Sequence, residues 1–255
     1  MGFISYNIEI CLTVYLRNEF AMKYLIIGDI HGCYDELQAL LDKAGLSADD
    51  RIISIGDMVD RGLKSAETLK FFRDTPNASS IQGNHERKHV RAFRGQVQAA
   101  ASQAITRAQI GELAYPDAIS YMDSLPRYLE LPDATLVHGF WEAGVPIVQQ
   151  RETVIVGTMT GEEYLKGKGA WPWYEHYDGP KPLIVGHRDY SDGRMEPVIY
   201  QDRVYMIDSR CVYGGSLTGL LLPDFRLISV PSSGDHWNAL MRQYPAIISQ
   251  YDERS

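Results

Sequence analysis

The chain predicts an α/β fold in which two packed, mixed β-sheets are flanked by helices. Three observations carry that expectation. Early apolar runs are nearly continuous, as in strands buried on both faces. Stretches with helical periodicity fall between them, as in parallel strand–helix–strand units. Later runs follow one another across turn residues, as in antiparallel hairpins. The chain has 255 residues, 45% apolar and 23% charged, which is core material enough for one large domain.

Taken in order, residues 25–27 and 51–55 read as doubly buried strands, and 79–82, 135–137 and 183–185 as shorter versions. Leu37, Leu40, Leu41 and Ala44 recur at helical spacing, with Gly45 placed to end that helix in the left-handed conformation. Ser65 is placed to cap a second helix whose inner face carries Leu69 and Phe72. Residues 197–200, 203–207, 217–222 and 225–230 read as antiparallel sheet, with Gln201-Asp202 and Pro223-Asp224 as tight turns.

Residues 87–132 differ in character. Arg87, Lys88, Arg91, Arg94 and Arg107 occur with no acidic residue before Glu112, around an Ala- and Gln-rich centre that favours helix. The segment is either a solvated helical surface or a helical cap whose positive charge draws in an anionic substrate. No repeat or linker divides residues 22–255, which are expected to form a single domain.

Composition narrows the function. A net charge of −8 argues against an extended nucleic-acid surface. Cys11, Cys33 and Cys211 are too few and too far apart for a disulfide framework, and no pair has zinc-ligand spacing. A reducing cytoplasm is the simplest setting. No apolar run is long enough to cross a membrane. Residues 1–21 carry Glu9, Arg17 and Glu19 and lack the pattern of a signal peptide. Met22 leads directly into the first strand, so residues 1–21 read either as an upstream start choice or as an extension adding an edge strand at 8–15.

Five polar clusters follow apolar runs: Gly28-Asp29-Ile30-His31-Gly32, Gly56-Asp57-Met58-Val59-Asp60-Arg61-Gly62, Gly83-Asn84-His85-Glu86, Val137-His138-Gly139 and Val185-Gly186-His187. Singly they are weak: a Gly-Asp pair after a strand is usually a turn, and a lone His138 is more often a core or turn residue. Together, at the ends of strands in an open α/β sheet, they can converge on one crevice. Aspartate, asparagine and histidine are ligands for divalent cations, and two cations about 3.5–4 Å apart can clamp a phosphate. In this reading Asp57 bridges the pair, Asp29 and His31 complete one metal, and Asn84, His138 and His187 hold the other. Ligands without thiolate suit Mn, Fe, Zn or Mg, with Mn favoured here.

The order Gly-Asp-x-His-Gly, Gly-Asp-x-Val-Asp-Arg-Gly, Gly-Asn-His-Glu resembles the calcineurin-like metallophosphoesterase superfamily, over about residues 23–230. Asp60-Arg61-Gly62 points to its phosphoprotein phosphatase branch, which includes serine/threonine phosphatases and symmetrical diadenosine tetraphosphatases. The resemblance implies a four-layer α/β/β/α sandwich. It matches Asp29, His31, Asp57, Asn84, His138 and His187 with metal ligands, and His85 with the general acid for the leaving group. Asp60 matches the carboxylate that orients His85, and Arg61 and Asn84 match substrate-phosphate contacts. A positioned proton donor is worth roughly 10²–10⁴-fold in rate, and a guanidinium suits two phosphate oxygens.

Several residues stay open. Arg188 is either a second phosphate clamp or an ion-pair partner of Asp189 or Asp192. Asp208 either hydrogen-bonds a ligand histidine or starts a turn. Ser209-Arg210 stands where bacterial members usually have Thr-Gly, which puts a long cation in place of a glycine. Cys211 reads as a small buried hydrophobe. Trp171, Trp173, Tyr174, His176 and Tyr177 are either core packing or a wall for stacking a base or phosphotyrosyl ring.

The expected function is hydrolysis of phosphomonoesters, including phosphoproteins, by in-line attack of a metal-bridging hydroxide. The alternative is symmetrical hydrolysis of diadenosine tetraphosphate or a related dinucleoside polyphosphate. A catalytically silent binding module is the remaining alternative. The expected partner is a phosphorylated substrate, protein or nucleotide, with no membrane.

Overall fold

The computed structural model describes residues 22–252. The strand suggested at 8–15 therefore lies outside the described residues. The strands are β1 (Tyr24–Ile27), β2 (Arg51–Ser54), β3 (Ala78–Ser80), β4 (Tyr128–Glu130), β5 (Thr135–Val137), β6 (Leu183–Val185), β7 (Val198–Tyr200), β8 (Val204–Met206), β9 (Ser216–Leu222) and β10 (Arg226–Pro231). The helices are α1 (Tyr34–Ala44), α2 (Ser65–Asp74), α3 (Asn84–Phe93), α4 (Ala101–Ile110), α5 (Tyr115–Ser124), α6 (Glu152–Ile155), α7 (Met159–Gly167), α8 (His236–Gln243) and α9 (Pro245–Asp252).

Two five-stranded sheets result, ordered β10-β9-β1-β2-β3 and β4-β5-β6-β8-β7. β1 pairs parallel with β2 (Ile26 opposite Ile53) and antiparallel with β9 (Ile26 opposite Leu220). Its continuous apolar run follows from burial on both faces. Ile26 packs between the sheets with Ile53, Ile184 and Leu220, while Leu25 and Ile27 pack outward with Leu37 and Leu40 of α1. Phe140, Val154, Leu165 and Trp173 cover the outer face of the second sheet. Fully burying such side chains contributes roughly 1.5–3 kcal/mol each, so truncating Ile26 to Ala costs about 2–5 kcal/mol. Among the described residues no helix is long and apolar enough to cross a membrane.

The two mixed sheets flanked by helices are the architecture expected, with three local differences. The late hairpins do not form one sheet: β9–β10 completes the first, and β7–β8 enters the second, where β8 also runs parallel to β6. Turn chemistry sets a hairpin's own pairing, not the sheet it joins. Strand β4 lies inside the stretch expected to be helical, and pairs with β5. Its three residues are too few to show a period, and the helices end at Ser124. Ser65 does not cap α2; its hydroxyl accepts the Asp60 N–H at 3.1 Å. Gly45 does end α1, with φ 62° and its N–H donating to the Leu41 carbonyl.

Candidate metal centre

Loops after β1, β2, β5 and β6 and the first turn of α3 after β3 carry the five clusters, and backbone hydrogen bonds lace them together. The Ile30 and His31 N–H groups donate to the Asp57 carbonyl at 3.2 and 2.8 Å, and Gly186 N–H donates to the His138 carbonyl at 3.0 Å. Glu86 ties the second loop to the third: its buried carboxylate accepts from Asp57, Met58 and Gly83 N–H at 2.8–2.9 Å. Side chains at two glycines would not fit. A Cβ on Gly83 would collide with the Asp57 carboxylate, and one on Gly186 with that of Asp29.

Asp57 sits at the centre of the cluster. Its Oδ2 lies 3.3 Å from His138 Nε2, 3.7 Å from His31 Nε2 and 3.9 Å from His85 Nε2. Asn84 Oδ1 is 3.0 Å from His138 Nε2 and 2.9 Å from His187 Nδ1. Both Asp29 oxygens accept the His187 N–H, at 3.0 and 3.1 Å. The structure thus brings together Asp29, His31, Asp57, Asn84, His85, His138 and His187. His31, Asp57, Asp60, Arg61 and His187 all have φ between 46° and 73°, a region that non-glycine residues avoid unless the surroundings impose it.

The donor set fits divalent cations. His31 and His138 each use Nδ1–H on a backbone carbonyl, of Val59 at 2.8 Å and of Ile55 at 2.9 Å. Each Nε2 is thereby turned towards Asp57, the ring nitrogen left to bind a metal on losing any proton it carries. Donor atoms of Asp57, His138 and His187 lie within 4.8 Å of one another, as do those of His31, Asp57 and His85. Burial, then the neighbouring Asp208 and Asp57, push the Asp29 carboxyl well above its usual range. A cation would relieve such crowding of buried carboxylates. Burial opposes ionisation of Asp57 too, but His138 and His85 hold its carboxyl well below the usual range. Burial also disfavours charge on His138, yet Asp57 and Asp29 raise it to about 10. Burial and then His138 take His187 down to about 3.

Behind His85 stands a polar shell that motif reading misses. Asp60 accepts four donors: His85 Nδ1–H at 2.6 Å, His89 Nε2–H at 2.9 Å, the Thr106 hydroxyl at 2.8 Å and the Gln103 amide. A carboxylate has about four acceptor positions. Burial would raise its pKa, but His89 and His85 hold it well below the usual range. His89 Nδ1 in turn meets the Tyr115 hydroxyl at 2.7 Å. The i, i+4 spacing of His85 and His89 on one helix is the signal that could have found this shell. Helices α4 and α5 therefore supply contacts behind the site. Three of the five basic residues are paired, Arg87 with Glu152, Arg94 with Asp123 and Arg107 with Glu112, while Lys88 and Arg91 have no carboxylate within ion-pair distance among the described residues.

The other sequence candidates divide. Arg61 Nη1 lies 3.2 Å from His31 Nε2, at the edge of the cluster. Arg188 pairs with Glu162 at 3.1 Å, not with Asp189 or Asp192, and lies over the Trp171 ring. Asp208 accepts the Arg210 N–H at 2.8 Å, which is the turn expectation. Trp173 is fully buried and donates to the Tyr190 hydroxyl at 2.9 Å, so it is core and cannot stack a base. Cys211 is buried beside Cys33; their mutual hydrogen bond and burial push the Cys33 thiol up.

The calcineurin-like phosphoesterase family model matches residues 22–207. The bis(5'-nucleosyl)-tetraphosphatase PrpE of Bacillus velezensis, named asymmetrical, is 32% identical over 238 residues, covering 83% of this chain and 94% of that protein. Its namesake from Bacillus subtilis is 28% identical over 241 residues, covering 83% and 96%. A crystal structure provisionally described as a diadenosine tetraphosphatase superposes with TM-score 0.68 at 27% identity, covering 84% of this chain and 95% of that one. A Saccharomyces cerevisiae serine/threonine phosphatase, at 13% identity, 83% and 79% coverage and TM-score 0.55, shares the fold. With its motif loops converging on one buried cluster of metal-binding side chains, this chain belongs to the calcineurin-like phosphoesterase family.

Proposed function

We propose that this chain hydrolyses a dinucleoside polyphosphate at a two-cation centre, with Asp57 bridging the cations. Asp29 and His31 would hold one ion, and Asn84, His138 and His187 the other. The observation that carries the reading is Asp57 Oδ2 ringed by three imidazoles while His85 is backed by Asp60. Divalent ions there, Mn by preference, would neutralise phosphate charge and lower the pKa of bound water. The names borne by relatives that cover most of both chains support the dinucleotide substrate and asymmetrical cleavage. The phosphoprotein phosphatase reading becomes the second, because its structural likeness here is one of fold alone.

His85 spends Nδ1–H on Asp60, which leaves Nε2 facing the cluster to protonate a departing oxygen. Arg61 would hold phosphate oxygens beside His31 and Asn84 would contact them beside His138 and His187, with Arg188 reaching in only by leaving Glu162. Water adds to one phosphorus as a P–O–P bridge breaks, giving AMP and ATP if cleavage is asymmetrical and two ADP if symmetrical. The two sheets share one interior core, which supports residues 22–255 acting as one catalytic domain.

The test is product analysis with Mn-loaded protein given diadenosine tetraphosphate, a phosphoserine peptide and a phosphodiester. AMP and ATP in equal amounts is the expected result. Rapid dephosphorylation of the peptide with diadenosine tetraphosphate left intact would overturn the reading.

A further inference from the structure

We propose that Arg210, held against Tyr213, extends the phosphate contact begun by Arg61 into an anion subsite for the phosphates of a polyphosphate chain beyond the one under attack. The inference rests on the dinucleoside polyphosphate reading. The three side chains form a row with Tyr213 between the two arginines. Arg61 borders His31 at 3.2 Å. The Arg61 Cζ lies 5.9 Å from the centre of the Tyr213 ring, and the Arg210 Cζ lies 4.2 Å from the same centre. Tyr213 thus buttresses two guanidinium groups, a contact that restrains them without using their hydrogen-bond donors.

Both cations are half-buried, and among the described residues neither has a carboxylate within ion-pair distance, although the Arg210 charge is felt at Asp208 and Asp189. Arg87, Arg94, Arg107 and Arg188, by contrast, are each neutralised by a carboxylate. Arg61 spends one Nη1–H on His31 and keeps its other donors, no side-chain donor of Arg210 is engaged among the described residues, and a guanidinium fork is the geometry that suits phosphate oxygens.

The backbone at Arg210 gives a second, independent reason. Its φ is 59°, where glycine would be free of strain. The turn holds it there: its N–H donates to Asp208 Oδ1 at 2.8 Å, and its carbonyl accepts from Tyr213 and Gly215 N–H at 3.0 and 3.1 Å. Glycine would satisfy the same backbone bonds at lower conformational cost. What arginine adds is a long cation against Tyr213, beside a centre built for phosphate. A monoester with one phosphate reaches only Arg61, whereas a chain of phosphates has further oxygens to offer Arg210.

The test compares the wild type with Arg210→Gly and Arg210→Lys in the full-length, Mn-loaded protein. Arg210→Gly removes the cation and suits the backbone, so misfolding does not explain its losses; thermal melting checks this. Two readouts are taken: the ratio of kcat/KM for diadenosine tetraphosphate to that for p-nitrophenyl phosphate, and the affinity for inorganic tripolyphosphate by calorimetry with manganese in excess. In Arg210→Gly both should fall roughly tenfold, the loss of one charge-assisted contact, chiefly through KM. Arg210→Lys should recover part of each. If Arg210→Gly leaves tripolyphosphate affinity unchanged, the subsite is overturned. A wild type inactive on diadenosine tetraphosphate would instead sink the substrate reading, while the tripolyphosphate measurement still decides the subsite.

Discussion

His85 Nδ1 lies 2.6 Å from Asp60 Oδ2, with their side chains only 7% and 0% exposed. The contact fixes which imidazole nitrogen faces Asp57. It also gives a neighbouring negative charge to any proton that His85 carries. His85→Asn should lower kcat by roughly 10²–10⁴-fold on an alkyl phosphomonoester. The loss should be much smaller on p-nitrophenyl phosphate, whose leaving group departs without a proton. Equal losses on both would remove His85 as the acid.

Asp60 depends on its other donors in turn. Thr106→Val deletes one of them and leaves an acceptor unpaired in a buried place. The Asp60 carboxyl, held well below the usual range, should rise. On an alkyl phosphomonoester kcat should fall several-fold with KM little changed, because the carboxylate that orients His85 is less firmly held. An unchanged kcat in a folded Thr106→Val protein would confine Thr106 to packing.

Asp57 is the carboxylate on which both three-residue groups converge. Asp57→Asn keeps its shape but removes the charge, so the two-cation reading predicts lost metal as well as lost turnover. Elemental analysis after dialysis should find well below the wild-type content. Full metal content in a folded Asp57→Asn protein would contradict the assignment.

Glu36 offers a stability test away from the site. Its Oε1 accepts from His236 Nε2 at 2.9 Å, Ser233 N–H at 2.9 Å and the Ser233 hydroxyl at 2.8 Å, joining α1 to α8. Burial pushes its carboxyl up, but these donors outweigh that and take it from 4.5 to about 2. A depressed folded pKa stabilises above the unfolded value and loses that contribution as pH falls through the folded one. Glu36→Gln should therefore cost about 2–3 kcal/mol at neutral pH. In urea melts the gap to the wild type should close between about pH 4.5 and 2. A gap independent of pH across that window would show that the charge contributes nothing.

Trp173 lies in the core, with Phe140 and Trp171 among its neighbours in the same cluster. Trp173→Ala should cost about 3–5 kcal/mol of stability and depress activity on nucleotide and aryl substrates alike. Selective loss of nucleotide turnover in a stable Trp173→Ala protein would return it to the substrate wall.

The sequence by itself determined the strands of the core, the family, and the cluster of Asp29, His31, Asp57, Asn84, His138 and His187. These are encoded locally, as continuous apolar runs and as short clusters placed just after them. Tertiary structure alone decided which sheet each hairpin joined, that β4 would form at an edge, and that Trp173 would lie inside. It also decided that His89, Gln103 and Thr106 would surround Asp60, and that Arg188 would pair with Glu162 while Arg61 and Arg210 would meet at Tyr213. Those outcomes depend on contacts between residues far apart in the chain, whose partners leave no periodic or local trace for a reading along the sequence to detect.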